Sequence, residues 1–161
     1  MILVADASAL IALSACESLP LLDALFGQVL VPEAVFNEVA ANNKPQSARL
    51  RSYLHGKVRA VDMQSFVYLD SFADAGETAA MILYKEVAAD FLLIDDKRGR
   101  KVAKINQIKT ISSLGVLLQA KRLGLIPLIA PLLEQISASP VFIGADLIRT
   151  VLELAGEANV H

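Results

Sequence analysis

An α/β fold, a three-layer α/β/α sandwich with a mostly parallel central sheet, is predicted by three features of this 161-residue chain. Short continuous apolar runs recur at Ile2 to Ala5, Val29 to Val31 and Phe91 to Ile94, too short for helices and apolar on both sides, as strands covered on both faces must be. Each run is followed by a helical pattern. The first and third end on acids, Asp6 and the pair Asp95 and Asp96, where a strand would hand the chain to a helix.

The elements follow in order. After Asp6, Ser8 is placed to cap a helix from Ala9 to about Cys16. A helix over Leu19 to Phe26 is stopped by Gly27, and Pro32 suits the first turn of a helix over Glu33 to Ala40, where its missing N–H costs nothing. Asn42 to Pro45 reads as a loop, Gln46 to His55 as a surface helix, and Val58 to Val61 as a short edge strand. Met63 to Phe72 is a loop or irregular helix. The segment Asp74 to Glu77 opens a helix through Glu86, with Ala79, Ala80, Ile82, Leu83 and Val87 as its apolar face. A helix over Arg98 to Ile105 and a strand over Ile108 to Ile111 come next. Ser112 or Ser113 caps a helix to about Leu123, ended by Gly124. Helices near Pro127 to Ser137 and Ala145 to Ala155 complete a single domain over residues 1–156, with 157–161 as a frayed tail.

Composition narrows the class. A chain of this length builds a core without disulfides or structural metal. Its single cysteine, Cys16, lies among apolar residues and reads as a buried thiol, which fits a reducing, cytoplasmic setting. The start Met-Ile-Leu-Val-Ala-Asp lacks the basic opening and cleavage site of a secretory signal. The apolar tract from Ile111 to Ile136 is broken by Lys121, Arg122, Gly124, Pro127, Pro131 and Glu134, so no membrane span is expected. The formal charge of −2 gives no overall basic footprint for nucleic acid. Acids gathered at one point can nevertheless hold a divalent cation that meets a phosphate, and Lys97, Arg98, Arg100, Lys101 and Lys104 are dense beside the acidic pair.

In open parallel sheets, ligands bind beyond the carboxyl ends of strands, where Asp6, Asp95 and Asp96 fall. Each acid has a plainer reading: Asp6, Asp96 and Glu77 sit at helix starts, where the macrodipole and free N–H groups favour a carboxylate. Glu38 alone reads as a solvated helix residue. Glu33, five residues earlier, lies about 140° around the helix and cannot share its site. Gly76 and Ala75 beside Glu77 leave room for a metal or backbone to approach. Taken together, oxygen donors without histidine or cysteine partners favour Mg²⁺ or Mn²⁺ over zinc. His55 lies before Gly56 in a polar stretch and His161 is the last residue, so the two support no alternative site.

Four segments then carry a resemblance. Val4-Ala5-Asp6-Ala7-Ser8-Ala9-Leu10-Ile11, Val31-Pro32-Glu33 through Glu38-Val39, Asp74-Ala75-Gly76-Glu77, and Leu93-Ile94-Asp95-Asp96-Lys97 resemble, in order and spacing, the successive motifs of PIN-domain nucleases. Ile111 to Leu117 and Ala120 to Ile126 are similar to a bacterial and archaeal branch close to VapC-type toxins. The resemblance implies a Mg²⁺-dependent endoribonuclease, Mn²⁺ substituting, that cuts RNA through metal-activated water. By motif, Asp6, Glu38, Glu77 and Asp96 would be catalytic. Asp6, Asp96, Asp95 and Glu77 would hold metal, with Asp96 aligning better than Asp95. Ser8 and Ser113 would support the site, Ser112-Ser113 standing where the family often has Gly-Thr. Lys97 and Arg98 would hold the RNA backbone, although a basic run also reads as a solvated face. A toxin with an antitoxin partner and a homodimer are implied too.

Two rivals predict different patterns. A phosphoacceptor receiver domain carries its acidic pair at the first strand and a late lysine followed by proline; here a lone acid comes first and the pair last. A phosphatase with an Asp-x-Asp nucleophile would need an acid at Ser8. The remaining alternative is a catalytically inactive PIN fold kept as a protein-binding or regulatory module.

Overall fold

A computed structural model describes residues 1–41, 44–63 and 74–157. Asn42, Asn43 and most of the segment expected to be loop or irregular helix, Gln64 to Phe72, lie outside the described residues. The strands are β1 (Ile2–Ala5), β2 (Gln28–Pro32), β3 (Val58–Arg59), β4 (Phe91–Leu93) and β5 (Thr110–Ile111). They form one sheet in the order β3-β2-β1-β4-β5, with every pairing parallel. Around it stand α1 (Ala7–Ala15), α2 (Pro20–Phe26), α3 (Glu33–Val39), α4 (Ser47–Tyr53), α5 (Ala75–Glu86), α6 (Lys97–Ile105), α7 (Ser113–Arg122), α8 (Ala130–Ser137) and α9 (Ala145–Leu154). This is the three-layer α/β/α arrangement expected from the alternation of buried strands and helices.

The apolar runs explain the layering. Leu3, Val4 and Ala5 of β1 and Leu92 and Leu93 of β4 are wholly buried, as central parallel strands sandwiched between helices must be. The core gathers them with Leu10 and Leu13 of α1, Leu83 of α5 and Leu117 of α7. Burying a leucine side chain contributes about 2 kcal/mol, so these residues dominate the stability of the sheet. Cys16 is buried as expected, 1% exposed. Among the described residues no single helix is long and apolar enough to cross a membrane; α1 and α2 together pass on composition but are bent by 116°, and their leucines belong to the core.

Differences from the expected elements are local. Helix α1 begins at Ala7, with Asp6 rather than Ser8 at its N-cap. The backbone N–H of Asp6 still belongs to the sheet, donating to the Leu93 carbonyl at 2.8 Å, so the chain turns into the helix one residue later than the strand ends. Ser112, not Ser113, caps α7, its hydroxyl accepting from the Gly115 N–H at 3.0 Å. Glu157, expected in a frayed tail, is only 3% exposed. It accepts hydrogen bonds from the N–H groups of Ile129 and Ala130 and an ion pair from Lys121 at 2.8 Å. It thus closes the start of α8, which has no cap of its own.

Candidate functional site

The strand order fixes where a site can form. From β1 the chain runs outward to β2 and β3, then returns to the other side of β1 with β4 and β5. The crevice at that reversal, between the carboxyl ends of β1 and β4, is where open α/β sheets bind ligands. Asp6 follows β1 directly and Asp96 follows β4 by three residues, because buried Ile94 extends the run before the chain turns.

Two helices bring further carboxylates. In α5, Asp74 is the N-cap and Glu77 the third helical residue, in a reciprocal capping box. The Asp74 carboxylate accepts from the Glu77 N–H at 2.7 Å, and Glu77 accepts from the Asp74 N–H at 3.3 Å. Glu38 arrives from α3, which packs on α5. Gly76 sits at this contact: a Cβ there would lie at ordinary van der Waals distance from a Glu38 carboxylate oxygen, 3.4 Å, and from an Asp74 oxygen, 3.5 Å. Asp96 caps α6, accepting from the Gly99 N–H at 2.7 Å.

The electrostatics show that these groups share one region. Burial, the largest influence, pushes the Asp6 carboxyl up from 3.8 to about 7; the Ala7 N–H opposes it, and repulsion from Glu77, Asp74 and Glu38 adds to it. Burial also pushes Glu77 from 4.5 to about 7, reinforced by the charge of Asp74 and by Asp96, its hydrogen-bonding neighbour. Glu38, at the exposed rim, is raised by desolvation and then by Asp74, against the pull of Lys44. Burial and like charge both disfavour ionised carboxylates, and here they act together.

Asp6, Glu38, Glu77 and Asp96 are therefore brought into one neighbourhood, and Asp74 joins them. In the sequence Asp74 stands only as the residue that opens this helix and one of the four resembling segments, with no role of its own in the site. Asp95 does not join: its two oxygens accept from the N–H and the hydroxyl of Ser113, each at 2.7 Å. Ser113, 2% exposed, thus ties the end of β4 to the start of α7. Ser8 lies exposed on the first turn of α1. Lys97 and Arg98 are exposed on the first turn of α6.

Gly99 is a further residue of the site that no local pattern singles out. A Cβ there would lie 2.6 Å from Ile94 Cδ1 and 3.1 Å from the Glu77 carboxyl carbon. A side chain at this position would require the ends of the Ile94 and Glu77 side chains to shift. Gly99→Ala gains about 1 kcal/mol of helix propensity but overpacks a buried wall at about 1 to 3 kcal/mol. A net loss of about 1 kcal/mol is expected in urea unfolding; a more stable Ala variant would disprove the tight fit.

The donor set fits a hard divalent cation in kind. It is carboxylate oxygen throughout, and its repulsion is the sort a cation relieves. It is not a ready cage: among the described residues no group of three or more His, Cys, Asp or Glu side chains is set to hold a metal ion. Asp74, Glu77 and Asp96 turn oxygens to helix N–H groups instead.

The comparisons agree with the geometry. A family model described as a PIN domain matches residues 2–157, nearly the whole chain and up to the buried Glu157. No curated protein matches the chain. PIN domains are generally nucleases that use divalent metals, and an acidic crevice at the sheet's reversal point is the place such chemistry requires. On its parallel five-stranded sheet, its acids at the strand ends and the match over residues 2–157, the chain belongs to the PIN-domain family.

Proposed function

We propose that the chain is a Mg²⁺-dependent endoribonuclease, Mn²⁺ substituting, and the toxin of a toxin–antitoxin pair. The observation that carries the reading is the convergence of Asp6, Glu38, Asp74, Glu77 and Asp96, from four separate elements, on one partly buried crevice. Such a cluster is costly to keep without a cation. Asp6, Glu77 and Asp96 would hold the metal, with Glu38 at the rim completing the acidic set. When bound, Mg²⁺ supplies a lowered water pKa and steadies charge developing on the phosphate.

The chain's own residues do the rest. With Asp6 and Glu77 engaged as ligands, Glu38 at the exposed rim is the carboxylate left to orient an attacking water; without metal, Asp6 and Glu77 both titrate near 7. Asp95 and Ser113 act as positioning residues, fixing the backbone that presents Asp96. Partners are part of the proposal: apolar Phe142, Leu147 and Leu154, all exposed around α9, support a protein partner, an antitoxin or a second copy forming a homodimer. A cytoplasmic setting suits both an RNA substrate and the free thiol of Cys16.

A second reading is favoured by one observation. Glu77 and Asp96 already serve as capping groups, and among the described residues no ready metal cage exists. An inactive PIN fold acting as a protein-binding module would look the same. Purified protein incubated with mixed single-stranded RNA and Mg²⁺ or Mn²⁺ separates the two. Cutting that is lost in EDTA and in Asp6→Asn supports the nuclease. No cutting by folded, partner-free protein, with no metal uptake by calorimetry, overturns it in favour of the module. Growth arrest on expression, absent with Asp6→Asn, tests the toxin assignment.

A further inference from the structure

Helix α6 carries its charge on one side. Lys97, Arg100, Lys101 and Lys104 stand at i, i+3, i+4 and i+7, within an arc of about 100°, and all four are exposed. Gly99, Val102 and Ala103 face the core on the other side. Arg98 lies about 100° from Lys97, off this stripe, and has a contact of its own. Among the described residues none of the four stripe cations makes an ion pair or a side-chain hydrogen bond. The stripe, with Ile108 and with Thr110 of β5, lines an open groove of about 400 Å³. Because β5 is the last strand of the sheet, that side of the groove is a sheet edge.

Three facts point to the occupant. The molecule carries a formal charge of −2 and its crevice is acidic, so neither attracts a polyanion and local cations must do so. The stripe starts at Lys97, the residue after Asp96, and therefore leads away from the crevice itself. Its length, roughly 10 Å from Lys97 to Lys104 at 1.5 Å per residue, is long enough to meet successive phosphates of one strand. Resting on the reading of the crevice as an RNA-cutting centre, we propose that the groove between α6 and β5 is a track for the backbone of single-stranded RNA. The track holds the strand by Arg100, Lys101 and Lys104 and passes it at Lys97 to the acids. It is sequence-blind, since lysine and arginine contacts to phosphate carry no base information.

The test is binding of a fluorescein-labelled single-stranded RNA by fluorescence anisotropy, in EDTA so that nothing is cut, between about 50 and 200 mM salt. Wild type is compared with R100A/K101A/K104A and with the milder K101Q/K104Q, each checked by thermal melting. The triple variant is expected to bind at least about 10-fold more weakly at low salt, with a log–log salt slope shallower by about 2; the double variant by about 1.4. Unchanged affinity and slope in either folded variant overturns the track. So does loss of labelled polyglutamate binding with RNA binding intact, which assigns the stripe to an acidic protein partner. Cutting in Mg²⁺ separates the two proposals. RNA cut by wild type but bound equally by the variants removes the track and leaves the nuclease. RNA held by the stripe but never cut leaves the track and removes the nuclease.

Discussion

Asp6→Asn will reduce RNA cutting by on the order of 10²-fold or more, and in EDTA the same variant will be more stable than wild type above neutral pH. Both effects come from one buried carboxyl, 3% exposed. Its pKa in the folded protein is about 7 against 3.8 for a free group, so the folded state holds the proton more tightly than the unfolded chain. The sign follows: the stabilisation is full below pH about 4 and is lost as pH rises through about 7, on the order of 4 kcal/mol. Metal-free wild type should therefore melt at a lower temperature at pH 8 than at pH 5. The Asn variant, having no charge to bury, should lose much less, keeping only the share that Glu77 carries by its own raised pKa. Mg²⁺ should restore wild type at pH 8 and leave the variant unmoved, because a ligand stabilises only the state that binds it. Matching pH profiles for the two proteins would refute the burial of this charge.

The second large effect is expected far from the crevice. Glu157→Ala should cost about 3 kcal/mol, which for a chain of this size lowers the melting midpoint by roughly 6 to 12 °C. The Glu157 side chain is 2% exposed in its ion pair with Lys121. Its removal leaves the Ile129 and Ala130 N–H groups at the start of α8 without an acceptor. Burial by itself raises the Glu157 pKa. Lys121 and the two N–H groups outweigh it and hold the carboxyl below its ordinary value. That stabilisation is present above the unfolded pKa and lost as pH falls through the folded one. Wild type and variant should thus converge in acid. A variant that melts like wild type at pH 7 would mean that the C-terminal clasp contributes nothing.

The legible parts of the molecule are those written in contiguous residues. The runs Ile2 to Ala5 and Phe91 to Ile94 reveal central strands because both of their faces are buried, which leaves no polar alternation to confuse them. The acids at their ends follow at once. Which of two adjacent acids faces the crevice is not written locally. Asp95 and Asp96 differ by one residue, and only the register of β4 against β5 turns Asp95 toward Ser113, from residue 95 to residue 113 of the chain. Helix starts show the same limit. Asp6 and Ser8 have comparable capping chemistry, and the pairing of the Asp6 N–H with Leu93 keeps the backbone extended to Asp6 and places the N-cap there. Glu157 looked like a tail residue because Gly156, with φ of 75°, ends the helical pattern. Its partner Lys121 is 36 residues away, beyond the reach of any local pattern. Asp74 and Gly99 fall in the same class, since their importance lies in what α3 and α5 press against them.

The order of the strands also has a temporal meaning for a chain emerging from the ribosome. β1 registers Leu3 with Phe91, so the central pair of the sheet joins the first strand to one made nearly ninety residues afterwards. At about 5 to 20 residues per second, those residues take roughly 5 to 20 seconds to synthesise. Until then the nascent chain can pair β1 with β2, whose partners Ile2 and Gln28 are near in sequence, but one bank of the crevice does not yet exist. Contacts of such long sequence separation are also slow to close. Asp96 is made 90 residues after Asp6, so the acids meet only once the stretch between them has been delivered.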